Sequence, residues 1–360
     1  MHVGLSHSFQ NIGATLSDEQ VWANEVRMAE RAVEAGFDGI WATEHHFSDY
    51  EITPEPLQYL SFVAGRWPSV QLGTMVVVLP WHDPIRVAEQ ISVLDTLSQG
   101  RLTLGIGRGI GKIEFDGFGI PMEESRGRFI EAAELILNAL DSGVLHYEGE
   151  HYNVPARRLR PAPRGSFRDR TYAAAMSPES TEIMARLGVG MLIIASKAWA
   201  KVADDMAGYR DLFRTLNGRE APSPLANAFM VCDKDPARAE DLAVRHMGAY
   251  WRSVVEHYEF TGTQFADTDG YAHYAKMADE VRLEGVDAVT ANFIDTQVFG
   301  TPTQCAEKII WLTETIGSET FLPVFLYGGM PIDDAMRSME TFVDGVLPTL
   351  QAHTPAVAIT

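Results

Sequence analysis

The chain has 360 residues, 46% of them hydrophobic, and a formal net charge of −20. That charge argues against nucleic acid or an anionic membrane as a partner, and it requires any anionic ligand to be held in a locally positive pocket. No apolar run is long enough to cross a bilayer, Met1-His2-Val3-Gly4-Leu5 lacks the form of a signal peptide, and Cys232 and Cys305 form no Cys-x-x-Cys pair; a cytoplasmic protein without a cysteine metal site is expected.

Residues 3–5 read as a first strand. Residues 18–35 follow, with Val21, Val26, Ala29 and Val33 near helical spacing and Gly36 placed to end the helix in a left-handed conformation. The apolar run 39–42 leads into Glu44-His45-His46-Phe47, the pattern of a buried strand that delivers polar side chains to a site at its C-terminal end. Residues 54–66 read as a helix, 70–79 as a long buried strand stopped by Pro80, and 84–97 as a helix with proline in its first turn. A fourth strand, 101–106, opens onto a glycine-rich loop, and 125–140 reads as a helix with Ser125 as its N-cap. Residues 146–154 resemble a hairpin, and the basic, proline-rich stretch 155–170 a loop.

The alternation resumes with strands at 171–175, 191–195 and 225–231, each followed by a helix, at 178–187, 199–216 and 236–256. Residues 257–290 show no clean periodicity at first, with Thr, Gly, Asp and aromatics, then a short helical stretch, and read as an insertion more mobile than its surroundings. A helix at 303–316, a last strand at 320–327 and a helix at 332–346 complete the pattern, with a loose tail from Thr349. Eight strands alternating with helices predict an α/β fold: a single (β/α)8 TIM barrel over residues 1–350, with the insertion before the last strand and residues 351–360 as a tail. An open doubly wound sheet is the alternative.

His45 and His46 are adjacent, so in an extended backbone they point to opposite sides and only one faces a cavity. Catalysis and simple capping of the strand both account for the pair. In Gly105-Ile-Gly107-Arg108-Gly109-Ile-Gly111, the glycines allow close backbone approach and Arg108 offers a forked cation suited to phosphate. The spacing is not that of a dinucleotide fingerprint, and no clear helix follows the glycines. A flexible loop with a surface arginine explains the same residues. Arg126 sits in the first turn of its helix, where a cation opposes the helix dipole unless an anion lies nearby; a solvated surface arginine is the alternative. Met176, Ser177 and Ser180 flank the start of the helix after the fifth strand, where free N–H groups and hydroxyls suit a phosphate. An ordinary serine N-cap explains Ser177 but not Ser180. Adjacent histidines lack metal-ligand spacing on a helix, and no matching cluster is visible elsewhere, so no metal is expected. No G-x-S-x-G elbow is present, so a serine hydrolase is not expected. Trp41, Phe47, Trp81 and Ile110 read as core or barrel plug.

Taken together, Ala35-Gly-Phe-Asp-Gly-Ile-Trp41, Glu44-His-His-Phe47, Gly73-Thr74, Leu79-Pro80, Leu94-Asp-x-Leu-Ser98-x-Gly-Arg101, Gly107-Arg-Gly109, Phe118-Gly119, Ser177 with Ser180-Thr181, and Gly300-Thr-Pro-Thr-Gln-Cys305 resemble the bacterial luciferase family of flavin-dependent monooxygenases. The match follows the α-subunit pattern, including Gly270-Tyr271. The resemblance implies a barrel that binds reduced FMN (FMNH2) at the C-terminal ends of its strands and activates O2 as a flavin C4a-peroxide to oxygenate a small organic substrate. It implies that His45 is catalytic, that Met75-Val76 is a non-prolyl cis peptide beside the ring system, that Arg108, Arg126, Ser177 and Ser180 hold the phosphate, and that Glu44 lies near the flavin. Gly107 stands where the α subunit carries a reactive cysteine, Met176 where it has a glutamate, and Ala195-Ser196-Lys197 also depart from it, so light emission and aldehyde specificity do not follow. With no NAD(P)H fingerprint, a separate flavin reductase is the expected source of FMNH2, and the chain is expected to be a homodimer. The alternatives are an F420-dependent hydride-transfer enzyme of the same fold, or a non-catalytic flavin-binding subunit.

Overall fold

The computed structural model describes residues 1–174, 178–266, 268 and 270–354. Eight parallel strands close on themselves: β1 His2–His7, β2 Gly39–Ala42, β3 Gln71–Thr74, β4 Leu102–Gly107, β5 Thr171–Ala174, β6 Gly190–Ile194, β7 Leu225–Cys232 and β8 Thr320–Val324. Each pairs with the next, and β8 returns to β1 with Thr320 opposite His2. The eight strands close into a ring, with Val298–Gly300 pairing alongside β7, so the (β/α)8 barrel stands and the open sheet does not. After β3 the chain continues through Val77–Val78, which also pairs β4.

The helices are α1 Asp18–Ala35, α2 Pro56–Arg66, α3 Pro84–Leu97, α4 Lys112–Phe118, α5 Ser125–Ser142, α6 Pro178–Leu187, α7 Trp199–Asn217, α8 Pro236–His257, α9 Ala272–Glu284, α10 Val286–Thr296, α11 Pro302–Ile316, α12 Ile332–Gly345 and α13 Leu347–Ala352. Local chemistry sets their ends. Ser17 and Gln20 form a reciprocal capping box at the start of α1, and Gly36 ends it at φ +85°. Asp83 accepts from the N–H groups of Ile85 and Arg86 at 2.8 and 3.2 Å at the start of α3. No helix among the described residues is long and apolar enough to cross a membrane.

The barrel interior is packed through glycines. Trp41 lies over Gly73, where a Cβ would sit 2.1 Å from the indole. At Gly105 a Cβ would sit 2.0 Å from the Thr74 carbonyl oxygen, which belongs to backbone and has no rotamer to escape into. Thr74 also exchanges two hydrogen bonds with Gly105, at 2.8 and 2.7 Å. Gly105→Ala is therefore expected to destabilise the fold by about 1–3 kcal/mol, seen as a lower denaturation midpoint; an unchanged midpoint would contradict this packing.

Several local expectations are corrected. A helix does follow the glycine-rich loop: α4 starts at Lys112, directly after Gly111. Ser125 is the first residue of α5 and caps nothing; its hydroxyl bonds the Tyr271 phenol at 2.9 Å. β2 ends at Ala42, so Glu44 to His46 lie in the loop beyond it. The hairpin pairs Val144–Glu148 with Asn153–Arg158, taking in part of the expected loop. The insertion carries α9 and the start of α10, with Phe260, Phe265 and Tyr271 buried. Of the stretch after Thr349, residues 350–352 belong to α13, whose Leu350 is fully buried, and residues 355–360 lie outside the described residues.

Candidate active site

A cavity of about 540 Å³ opens at the C-terminal ends of the strands. His7 and Gly107 end β1 and β4, Thr43 to His45 follow β2, and Met75 to Val78 follow β3; all contribute to its wall except Val77. The Met75–Val76 peptide is cis. The Val76 side chain fills the space a Cβ on Gly107 would need, 2.4 Å away.

His45 sits on this wall and His46 does not. The His45 Nδ1 lies 2.9 Å from Glu114 Oε1, and the same oxygen accepts the His46 N–H at 3.0 Å. Glu114 is fully buried on α4, and Gly111 makes room for it: a Cβ there would meet its carboxylate at 2.3 Å. On its other side His257, at the end of α8, brings Nε2 to 3.6 Å while its Nδ1 bonds Ser48 at 3.0 Å. Burial raises the Glu114 carboxyl, but the two imidazoles outweigh it and hold it down at about 2. Burial likewise lowers His45, and the charge and hydrogen bond of Glu114, with Glu51 beyond, raise it to about 9. His45 is thus an imidazolium at neutral pH, a proton donor rather than a resting base. For folding, the Glu114 contribution is present above its unfolded value of 4.5 and is lost as pH falls through about 2. That of His45 is present below 6.5 and is lost as pH rises through about 9. Glu114→Gln should lower the His45 pKa, read by NMR titration of labelled histidine; an unmoved value would show that the pair is not coupled.

Glu44 is buried in a second network. It accepts from His82 Nε2 at 2.7 Å, from His46 Nε2 at 3.1 Å and from the Val78 N–H at 2.9 Å. Burial pushes its carboxyl up, and these donors bring it below the usual value. His46 is therefore structural, with Trp81 and Phe118 edge-on to its ring.

Two guanidinia also line the cavity. Arg108 and Arg126 both donate to the Gly270 carbonyl, at 2.9 and 3.1 Å. Arg126 also pairs with Glu179, at 2.7 Å, and the Arg108 guanidinium lies 4.1 Å above the Tyr271 ring. Tyr271 bridges Ser125 and the Gly109 carbonyl, at 2.9 and 3.3 Å. Gly270 has φ +83°, a left-handed backbone conformation that favours glycine. Ser180 and Thr181, in the first turn of α6, line the same region.

The structure thus brings Glu44, His45, Met75, Val76, Gly107, Arg108, Arg126 and Ser180 to one cavity. Met176 and Ser177 lie outside the described residues. Trp81 and Ile110 line the cavity, whereas Phe47 is largely exposed. Glu51, Glu114, His82 and His257 were not singled out from the sequence. The only available signal was acidic residues in segments read as loop. His45, Glu114 and His257 also place potential ligand atoms within 4.8 Å of one another, so a cluster with metal-ligand chemistry does exist, assembled from three separate segments. Within it, the Glu114–His45 ion pair is already made.

Two guanidinia and a helix N-terminus with hydroxyls form a donor set that fits a phosphate. Met75, Val76, Val78 and Leu192 present an apolar wall that fits a flat ring system, and the volume suits a cofactor-sized ligand. Residues 1–319 match the family described as luciferase-like monooxygenase. The alkanal monooxygenase alpha chain of Photorhabdus luminescens is 25% identical over 347 residues, covering 93% of this chain and 94% of that protein. Among solved structures, the oxygenating constituent of 3,6-diketocamphane monooxygenase from Pseudomonas putida, a type II Baeyer–Villiger monooxygenase in complex with FMN, has a TM-score of 0.73 at 19% identity, covering 97% of this chain and 98% of its own. An F420-dependent secondary alcohol dehydrogenase holding an F420–acetone adduct has a TM-score of 0.68 at 15% identity, with 97% and 98% covered.

Proposed function

Because this chain belongs to the luciferase-like monooxygenase family, we propose that it is the oxygenating component of a two-component system. It takes up reduced FMN from a separate reductase and uses O2 to oxygenate a small organic molecule in the cytoplasm. Bound reduced FMN would supply the electrons that activate dioxygen. The observation that carries this reading is the convergence of Arg108 and Arg126 on one point, the Gly270 carbonyl, beside an apolar cavity whose lining also carries the His45–Glu114 pair.

Arg108, Arg126 and Ser180 would hold the phosphate, together with Ser177 and the adjoining Met176. Met75 and Val76 would support the ring system, and Gly107 would lie beside it, its missing side chain making room for Val76. Glu44 would fix the Val78 backbone under the ring. His45 would present a proton to the reacting end while Glu114 keeps its ring charged and oriented. A non-catalytic subunit would have no use for a buried imidazolium on the cavity wall. The F420-bound neighbour keeps hydride transfer as the second reading, since an anionic deazaflavin suits the same cations. Exposed apolar residues on α2 and α3, Phe62, Val93 and Leu97, support a homodimer through that face.

Arg108→Ala is expected to weaken binding of reduced FMN roughly tenfold to a hundredfold, the loss of one charge-assisted contact of about 1.5–3 kcal/mol. Anaerobic titration measures it, and an unchanged Kd would remove Arg108 from the phosphate site. The reaction class is tested by stopped-flow mixing of oxygen with reduced FMN and protein. Reoxidation should follow a different course from that of free FMN and respond to candidate substrates. Identical courses with and without protein would overturn the proposal.

A further inference from the structure

The cavity wall around His45 carries two buried carboxylates, where one suffices to hold the ring. Glu114 takes Nδ1. Glu51, from the segment between β2 and α2, places Oε2 3.9 Å from Nε2. Glu51 lines the cavity and is 3% exposed. Its Oε2 has no hydrogen-bond partner, nor do the neighbouring Thr53 hydroxyl and the Tyr59 phenol. A separation of 3.9 Å is too long for a direct hydrogen bond, so proton transfer between the two groups needs a relay.

The surrounding charges decide the state of Glu51. It faces His45 and Thr43 beyond β2, Glu25 on α1, Glu114 on α4, Tyr250 on α8, and Tyr258 just past α8. Glu25 is hydrogen-bonded to His7 Nδ1, 2.6 Å away, and the His45 charge is matched by Glu114. No cation is left among these neighbours for a second ionised carboxylate, and an unmatched buried charge is costly, so a proton stays on Glu51.

We propose that Glu51 is the proton store of His45, holding the proton that restores the imidazolium after each turnover. The proposal rests on the reading that His45 donates a proton in the cavity. The Nε2–H proton passes to the bound reactant, leaving neutral imidazole. The Glu51 carboxyl then gives its proton to a water molecule of the cavity as that water passes one of its own to Nε2, and the carboxylate is reprotonated from solvent at the cavity mouth. Glu51 acts through His45. Its burial, partly offset by His45, raises its pKa to about 7, so it exchanges protons near neutrality while His45 remains charged up to about 9.

The test uses the full chain without cofactor. Infrared difference spectra over roughly pH 5–9 should show a protonated-carboxyl stretch that disappears as pH rises through about 7. The band should be absent in Glu51→Gln and present, displaced in pH, in Glu51→Asp. Histidine NMR should show His45 charged throughout the transition, with its pKa lowered in Glu51→Gln. In turnover, Glu51→Gln should reduce kcat roughly tenfold with KM unchanged, and the ionisation near neutrality should vanish from the kcat profile. A wild-type spectrum without a titrating buried carboxyl would overturn the proposal, even if Glu51→Gln failed to fold. So would a band that persists in Glu51→Gln. The spectra require no flavin, so their failure is distinct from a failure of reduced FMN to bind.

Discussion

Replacing His45 with alanine is expected to lower turnover by roughly 10² to 10⁴, the size of a lost acid–base group. The effect should fall on the chemical step. The cations assigned to the phosphate, Arg108 and Arg126, meet at Gly270, whereas His45 is held by Glu114, so reduced FMN should bind to the variant nearly as it does to the wild type. The substitution also strips Glu114 of its closest cationic partner, leaving the His46 N–H at 3.0 Å and His257 at 3.6 Å. Some stability should be lost with it, and a denaturation curve separates that loss from the kinetic effect. His46→Ala should behave in the opposite way, because its ring serves Glu44, Trp81 and Phe118 away from the cavity wall. Near wild-type turnover in the His45 variant, with activity lost in the His46 variant, would show that the two roles are reversed.

Glu44→Ala is expected to be the most destabilising of these substitutions, by about 3–5 kcal/mol. The side chain is 2% exposed and satisfies three donors from two segments. Removing it leaves the Val78 N–H and the His46 and His82 rings without their acceptor, and it frees the Val77–Val78 segment from the loop after β2. Because the Glu44 pKa lies below its usual value, its contribution is present above that value and is lost as pH falls through the depressed one. The gap between wild type and Glu44→Ala should therefore narrow in acid. Denaturant titration at neutral and acid pH measures this; a cost under about 1 kcal/mol at neutral pH would show that the network is not a buried charge site.

The barrel was legible in the sequence because each strand is a short apolar run closed by a turn or polar residue, and each connecting helix has its own end signals, as at Ser17, Gly36 and Asp83. The cationic part of the site was legible because two arginines sit where surface or helix stability gives them little purpose. The carboxylates were not. α4 has seven residues, begins after a glycine and has no side-chain cap, so nothing marks Glu114 as helical or buried. His45 and Glu114 are 69 residues apart, and Ser48 and His257 are 209 apart. Pairings at that distance are made by barrel closure, which leaves no local trace. The insertion was illegible for another reason: its aromatics, Phe260, Phe265 and Tyr271, pack against one another and over Arg108, so they follow no helical period.

Glu114 and Glu51 also change the chemistry expected of His45. A histidine near its ordinary pKa suits either direction of proton transfer. Held between two buried carboxylates it is a cation up to about pH 9, which makes proton donation its resting capability.

Anaerobic titration of the wild-type chain and the Arg108→Ala variant with reduced FMN and, separately, reduced F420 tests the central claim most directly. The wild type should bind one reduced FMN per chain, more tightly than it binds reduced F420, and the variant should bind reduced FMN roughly tenfold to a hundredfold more weakly. Tight binding of reduced F420 with no binding of reduced FMN would contradict the flavin assignment and leave hydride transfer as the reaction of this barrel.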